Sequence, residues 1–220
     1  MTNSRRLDEL PKNPSYVYST SMNLLRKLFV LVWMICLCSF AQSQIEHAQL
    51  IKPLIDPVKL ATLKERGANQ RVQKITAILW KAKQAGQDPA KVAESAVGLI
   101  GWANTPKGQL TAAAMVRNLS IAEKLGATTP QDIDDMSKGK TGDVRNGPYA
   151  GQLLSVDHII PRAVAPELDN VIANLELMPL SMNMSKNDKV TSRQVDFAKK
   201  MNAAGLLSEG GLQRVLSVAR

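Results

Sequence analysis

The sequence of 220 residues is poor in the residues that several kinds of site require. Its two cysteines, Cys36 and Cys38, both lie in an apolar run near the N-terminus. The rest of the chain therefore has no disulfide, no thiol nucleophile and no cysteine-based zinc site. Aromatic residues make up only 4% of the chain, which disfavours a base-stacking platform. No Walker-type phosphate-binding loop is present, so no nucleotide cofactor is expected.

Histidine is equally scarce, because the chain has only His47 and His158. The second of these lies in the stretch Ser155–Lys189, which reads SVDHIIPRAVAPELDNVIANLELMPLSMNMSKNDK. Histidine is the side chain whose ordinary pKa lies nearest neutrality. Any reaction in the second half of the protein that needs such a proton acceptor therefore has only His158 to use.

The N-terminal segment has the pattern of an export signal. Arg26 and Lys27 precede the apolar run Leu28–Cys38, and small residues suited to cleavage follow at Ser39-Phe40-Ala41 or Ala41-Gln42-Ser43. The run is shorter than the roughly 20 apolar residues of a membrane span. We therefore predict that residues 1–43 are a signal peptide, with Met22 as a more usual start, and that the protein is exported to the periplasm or the cell exterior. An uncleaved membrane anchor is the alternative.

The chain is strongly basic, with a formal net charge of +9. Residues 1–43 contain five of the 28 basic and two of the 19 acidic residues, so the remainder keeps 23 basic and 17 acidic residues, a net +6. Such an excess suits a polyanionic partner, because phosphate contacts give affinity that does not depend on sequence. A soluble basic protein without such a partner would have the same charge.

Residues 44–138 are predicted to form a helical region. Its helix starts are marked by an N-capping residue followed by proline, a pair favoured at the first helical position. Gly126 is predicted to end one of these helices. Trp80 and Trp102 are interpreted as packing residues. The capping pairs are Asp56-Pro57, Asp88-Pro89, Thr105-Pro106 and Thr129-Pro130.

Residues 139–220 are predicted to form a second domain. The stretch Lys138–Gly151, which links the helices to this domain, is rich in glycine and basic residues and predicts a loop. Arg145 in this loop is a candidate for contacting the phosphates of a nucleic acid. A solvated linker is the alternative interpretation.

Two strands and a helix are predicted beyond the loop. Leu153–Ile160 and Asn174–Met178 have the composition of strands, each bounded by proline. A helical pattern then runs from Ser181 to about Ala204, with Asn183, Val190, Phe197 and Met201 on its apolar face. Ser208–Val218 predicts a last short helix. The fold class is therefore α+β, with a mainly helical N-terminal region followed by a β-hairpin and a helix.

The polar residues of the second domain suit the hydrolysis of a phosphodiester. His158 can deprotonate a water, and a divalent cation can stabilise charge on the phosphoryl oxygens. Asp157 and Asn183 offer the carboxylate and amide oxygens that Mg²⁺ prefers, with Mn²⁺ as the alternative. Neighbouring strand residues point to opposite faces, so Asp157 and His158 serve one site only if the strand twists or ends there.

Three separated elements of this domain together resemble the motif of the HNH endonucleases, also called ββα-metal nucleases. They are Asp157-His158-Ile159 with Pro161, then Asn174-Leu175, then Asn183 with Lys186. The resemblance covers roughly Gly147–Met201, about a quarter of the chain. It implies that His158 is the general base, that Asp157 and Asn183 bind the metal, and that Asn174 braces the loop that holds the histidine. Asn183 replaces the second histidine of the family name, which suits magnesium better than zinc.

These features together predict an exported, metal-dependent endonuclease that cuts DNA, or RNA, with low sequence specificity. Arg162, Lys186 and Lys189 are predicted, with Arg145, to contact the phosphate backbone. Taken singly, each motif residue has a plainer interpretation as a loop, cap or core residue. The alternative functions are a catalytically inactive nucleic-acid-binding module of the same fold and an envelope protein that meets anionic lipids. The sequence does not identify an immunity or inhibitor partner.

Overall fold

The structure is a computed structural model that describes residues 26–33, 45–61, 68–186 and 190–219. The chain divides into two compact units, Met1–Gln42 and Ser43–Arg220. In the first unit, residues 26–33 form a helix, and the rest of the predicted signal peptide lies outside the described residues. Within the described ranges, no helix is both long enough and apolar enough to cross a membrane.

The second unit is α+β, as predicted, with many helices and one small antiparallel sheet. Its first helix, α1, covers residues 45–55. The remaining elements are α2 (Pro57–Ala61), α3 (Ala68–Gln84), α4 (Pro89–Gly98), α5 (Pro106–Lys124), α6 (Pro130–Ser137), β1 (Leu154–His158), β2 (Leu175–Pro179), α7 (Leu180–Ser185), α8 (Ser192–Ala203) and α9 (Glu209–Val218).

The predicted helix starts are confirmed. The side chains of Asp88, Thr105 and Thr129 accept hydrogen bonds from the first turns of α4, α5 and α6, each with proline at the first position. Asp56 accepts a bond from the N–H of Val58 in the same way. These short-range bonds satisfy backbone donors that a helix cannot satisfy itself, so they set the helix boundaries.

The end of α5 is also confirmed. The helix stops at Lys124, and Gly126 takes a positive φ of 70°, a conformation that costs glycine little. A Cβ atom at this position would lie 2.9 Å from side-chain atoms of Asn146. The glycine therefore both turns the chain and allows the following loop to approach.

The sheet is a two-stranded hairpin in which Leu154 pairs with Pro179 and His158 pairs with Leu175. The outer edge of β2 is covered by Asn118, a buried residue of α5. Its side-chain oxygen accepts a bond from the N–H of Leu177 at 2.8 Å, and its amide nitrogen donates to the carbonyl of Leu175 at 3.0 Å. One side-chain amide thus supplies the bonds of a third strand, and α5 is fixed along the hairpin.

The continuous helix predicted from Ser181 to Ala204 is wrong. α7 ends at Ser185, Lys186 has an extended backbone (φ −73°, ψ 126°), and α8 begins at Ser192. Thr191 and Gln194 form a reciprocal capping box that starts a new helix. The apolar period alone could not distinguish one helix from two, because it continues from Asn183 on α7, which has no buried residue, to Phe197 on α8.

Two clusters of buried residues form the interior. The first joins α1 and the helices α3 to α6 to the hairpin, and includes Met115, Leu154 and Leu177. The second lies between the segment after β1 and the helices α8 and α9, and includes Ile160, Leu168 and Met201. The first cluster crosses the predicted domain boundary between residues 138 and 139, so the helices and the hairpin share a core.

The loop before the hairpin is anchored on Asp132, whose side chain is only 3% exposed. Its carboxylate accepts bonds from Thr129, from the N–H of Asp143 at 3.0 Å and from Arg145. Burial alone would raise the pKa of Asp132, but these hydrogen bonds together lower it. The loop is therefore fastened to α6 by one buried carboxylate.

We expect Asp132→Asn to lower the free energy of unfolding by about 2 kcal/mol, because a charge-assisted network loses its charge. A lowered pKa in the folded state contributes stability above the pKa of the unfolded chain, about 3.9, and that contribution is lost as the pH falls through the folded value. Urea unfolding from pH 3 to pH 7 should show the two proteins converging at the acidic end.

The matched control for Asp132 is Asp134→Asn. Asp134 is exposed on the same helix and bonds to Lys138 four residues on, a kind of pair worth about 0.5 kcal/mol or less. Equal effects of the two substitutions would contradict the anchoring role of Asp132.

Candidate active site

The hairpin places Asp157 and His158 side by side at the end of β1. Asp157 pairs in register with Glu176, and His158, the last residue of the strand, pairs with Leu175. Because residues alternate along a strand, the two side chains leave on opposite faces of the sheet. The strand ends after His158, so each side chain meets a different neighbouring segment.

Asn174, which is fully buried, holds the chain immediately after His158. Its side-chain oxygen accepts a bond from the N–H of Ile160 at 2.8 Å, and its amide nitrogen donates to the carbonyl of Ile160 at 3.0 Å. Its own carbonyl accepts a bond from the N–H of Ile159 at 2.8 Å. The segment 161–173 is thus closed into a loop at its two ends.

The ring of His158 is directed at this loop. Nε2 lies 3.1 Å from the backbone carbonyl of Asp169 in hydrogen-bond geometry. The Oδ1 atom of Asp169 is also 3.1 Å from Nε2, but it lies off the hydrogen-bond direction. A carbonyl only accepts, so Nε2 carries the proton of the neutral ring, and Nδ1 holds the lone pair that can accept another.

The part that Asp169 plays is not indicated by the sequence, in which it reads only as a loop residue. A carboxylate eleven residues after a histidine carries no recognisable spacing. Its position depends on the closed loop and on Arg71 of α3, a buried residue that donates to the carbonyl and side-chain oxygens of Asn170, both at 3.0 Å. Burial lowers the pKa of Arg71 to about 10, and the Asp169 charge opposes that shift.

Asn183 reaches the other face of β1. Its amide nitrogen donates to the hydroxyl of Ser155 at 2.6 Å and lies 3.4 Å from the carbonyl of Val156. Ser155 and Asp157 are two residues apart, so they point to the same face of the strand. α7 therefore brings the side chain of Asn183 to the face that carries Asp157, with its nitrogen bonded and its oxygen the atom suited to a metal.

Lys186 lies at the same place, one residue beyond α7. Its ammonium group donates to the carboxylate of Asp157 and, at 2.6 Å, to the backbone carbonyl of His158. The Lys186 ammonium group is thus held between a carboxylate oxygen of Asp157, the predicted metal ligand, and the backbone oxygen of His158, the predicted base. Oxygen atoms so arranged suit a positive charge.

The donor set fits a hard divalent cation better than zinc. In the ranges that the structure describes, no three His, Cys, Asp or Glu side chains cluster as metal ligands. The available donors are the Asp157 carboxylate, the Asn183 amide oxygen and the His158 carbonyl, which are all oxygens. Mg²⁺ and Mn²⁺ favour such ligands and retain waters in the remaining positions.

The other predicted contact residues have different positions. Arg162 follows the site closely, with Nε 3.6 Å from the Asp169 carboxylate. Arg145 is bonded to Asp132 and Asp143 beside the opposite end of β1. Lys189 lies outside the described residues. Of the predicted cations, Lys186 and Arg162 are therefore the two found beside Asp157 and His158.

We expect Asn174→Ala to lower the free energy of unfolding by about 2–4 kcal/mol, because it leaves the buried N–H and C=O of Ile160 without partners. Chemical denaturation measures this loss. A suitable control is Asn202→Ala, whose amide makes a single bond to the carbonyl of Leu207. A loss at Asn174 no greater than at Asn202 would show that the loop closes without the buried amide.

Comparison of the chain with protein-family models, with curated proteins and with solved structures finds no match. The candidate site therefore stands on its own residues and geometry.

Proposed function

We propose that this protein is a metal-dependent endonuclease of the HNH type that hydrolyses phosphodiester bonds in DNA or RNA. The observation that carries the proposal is the arrangement around the end of β1. Asp157 and Asn183 share one face, His158 closes the strand, and Asn174 fixes the turn that follows. In this proposal β1, β2 and α7 are the ββα unit of such enzymes.

In the proposed reaction, His158 accepts a proton from water at Nδ1. The Nε2 hydrogen bond to the backbone carbonyl of Asp169 holds the ring in the required tautomer, and the Asp169 carboxylate lies 3.1 Å from the same nitrogen. Asp169 is then a positioning residue that acts through His158. The loop closed by Asn174 keeps that carboxylate and carbonyl in place.

Asp157 and Asn183 would hold the divalent cation, with the His158 carbonyl as a third oxygen. When bound, this cation supplies Lewis-acid stabilisation of the phosphoryl and leaving oxygens. Lys186 would give up its bond to Asp157 and contact the phosphate instead. Arg162, exposed beside Asp169, would contact the backbone of the nucleic acid.

The proposed substrate class rests on charge and on how few elements of the described chain are suited to reading bases. A net charge of +6 beyond residue 43 favours a polyanion, and phosphate contacts carry no sequence information. We therefore propose low sequence specificity. Export, through cleavage after residue 43 or with an uncleaved N-terminal anchor, is part of the same proposal.

We expect the purified full chain to cut supercoiled plasmid in Mg²⁺ or Mn²⁺ and to lose this activity in EDTA. His158→Ala should lower cutting at least 100-fold, because a general base typically contributes 10²–10⁴-fold. Its far-ultraviolet circular dichroism and its affinity for DNA should stay near wild type. Plasmid cutting by His158→Ala at the wild-type rate would refute this mechanism.

Lys186 offers a test that does not depend on cutting. We expect Lys186→Met to tighten Mg²⁺ or Mn²⁺ binding up to about fivefold, since removing a competing ammonium pair is worth about 1 kcal/mol or less. Isothermal titration calorimetry measures the affinity, with Lys81→Met on the exposed surface of α3 as the control. Unchanged metal affinity in Lys186→Met would mean that the lysine and the metal do not share Asp157.

The same lysine favours a second candidate function, a nucleic-acid-binding module that does not cut. The Lys186 ammonium group already neutralises the charge of the Asp157 carboxylate, so the site needs no metal for charge balance. In that case Lys186→Met would bind no metal, and the wild-type chain would bind DNA equally well with and without EDTA.

A further inference from the structure

A groove of about 460 Å³ lies between α5, β2 and α8. Three basic side chains, two carboxylates and one aromatic ring line it, together with Ile159 and Ser192. The charged and aromatic members are Arg117, Glu176, Arg193, Asp196, Phe197 and Lys200. The proposed mechanism assigns no role to any of them.

The groove borders the candidate site. Ile159 directly follows His158, and Glu176 is the register partner of Asp157 across the hairpin. Directly opposed residues in a sheet point to the same face. The groove therefore begins on the strand that opposes Asp157, and a chain lying across this metal-binding face would continue into it.

Two of the cations are spaced along α8. Arg193 and Lys200 are seven residues, or two turns, apart, and both are exposed. Their separation along the helix is about 10 Å. They can therefore contact two different phosphates of one strand rather than a single phosphate.

The third cation comes from the helical region. Arg117 donates to the carbonyl of Leu175 at 3.1 Å, and its Nε lies 3.4 Å from Glu176 Oε1. That Nε is buried and makes no hydrogen bond within the described ranges. Burial lowers the pKa of Arg117, Glu176 opposes this shift, and the charge of Arg193 adds to it. The guanidinium groups of Arg117 and Arg193 thus both line one groove, where an anion would be attracted to both.

The two carboxylates limit how strongly an anion binds. Glu176 is paired with Arg117, and Asp196 lies three residues after Arg193 and four before Lys200, at ion-pair spacing. The groove keeps one net positive charge. Such a site binds an extended polyanion through several weak contacts better than it binds a single small anion.

We propose that this groove holds the phosphate backbone of the nucleic acid next to the bond that is cut, with Arg193 and Lys200 as direct phosphate contacts and Arg117 as a half-buried anchor. The inference rests on the proposed nuclease function. It assigns the helical region a part in substrate binding, because α5 supplies one wall of the groove.

The test uses the full chain with His158→Ala, so that a 20-base-pair duplex stays intact, in EDTA. Fluorescence anisotropy gives the dissociation constant between 50 and 300 mM salt. Each of Arg193→Ala and Lys200→Ala should weaken binding and reduce the slope of log K against log salt by about 1, and the double variant by about 2. Lys81→Ala on α3 is the matched control and should change neither. Arg117 is left intact because its bonds to β2 support the fold.

The outcomes distinguish failure of the groove inference from failure of the nuclease proposal. If the wild type cuts plasmid and the groove variants keep the parental affinity and salt slope, the groove inference is overturned and the nuclease proposal stands. If the wild type neither cuts nor binds DNA, both are overturned. Weaker binding to anionic phospholipid vesicles, with binding to duplex unchanged, would also overturn the inference, in favour of a lipid surface. The groove inference is supported only if the groove variants reduce the salt slope of duplex binding.

Discussion

The candidate site depends on the buried side chain of Asn174. Its amide bonds to both backbone groups of Ile160, and its carbonyl bonds to Ile159, so three hydrogen bonds close the loop that follows His158. The carbonyl that fixes the His158 ring belongs to Asp169, which lies within that loop. A buried amide whose oxygen and nitrogen are both bonded has one geometry, since each alternative leaves a polar group without a partner. The hydrogen bonds that close the loop therefore determine how the His158 ring is oriented.

Charge balance around Asp157 is the second constraint. A carboxylate on the sheet face needs a cation, and Lys186 supplies one from just beyond α7. Because α7 ends at Ser185, Lys186 has an extended backbone and reaches His158. A lysine inside a continuous helix could not extend its backbone in this way. The break between α7 and α8 therefore belongs to the site. It gives Asn183 and Lys186 separate approaches to β1, one from within a helix and one from an extended segment.

Local signals were readable from the sequence, whereas contacts across the fold were not. The proline-marked helix starts, the two strands and the end of α5 at Gly126 depend on neighbouring residues, and the structure has them all. The period that joined Asn183 to Phe197 in one helix was misleading, since such a spacing places residues on one face only within a single helix, and these two lie on α7 and α8. The contact of Asp169 with His158 and that of Arg117 with Glu176 join distant segments, and no spacing in the sequence encodes them.

Two adjacent residues of α5 connect the helical region to strand β2 of the hairpin. Asn118 replaces a missing strand at the edge of β2, and Arg117, next to it, reaches Leu175 and Glu176. Neighbouring helix positions lie about 100° apart, so one side chain can enter the sheet edge while the other turns toward the groove. The register that Asn118 imposes thereby fixes where the guanidinium group lies. A hairpin of two strands is marginal in water, and here the helix that stabilises it is also the one that would guide the substrate.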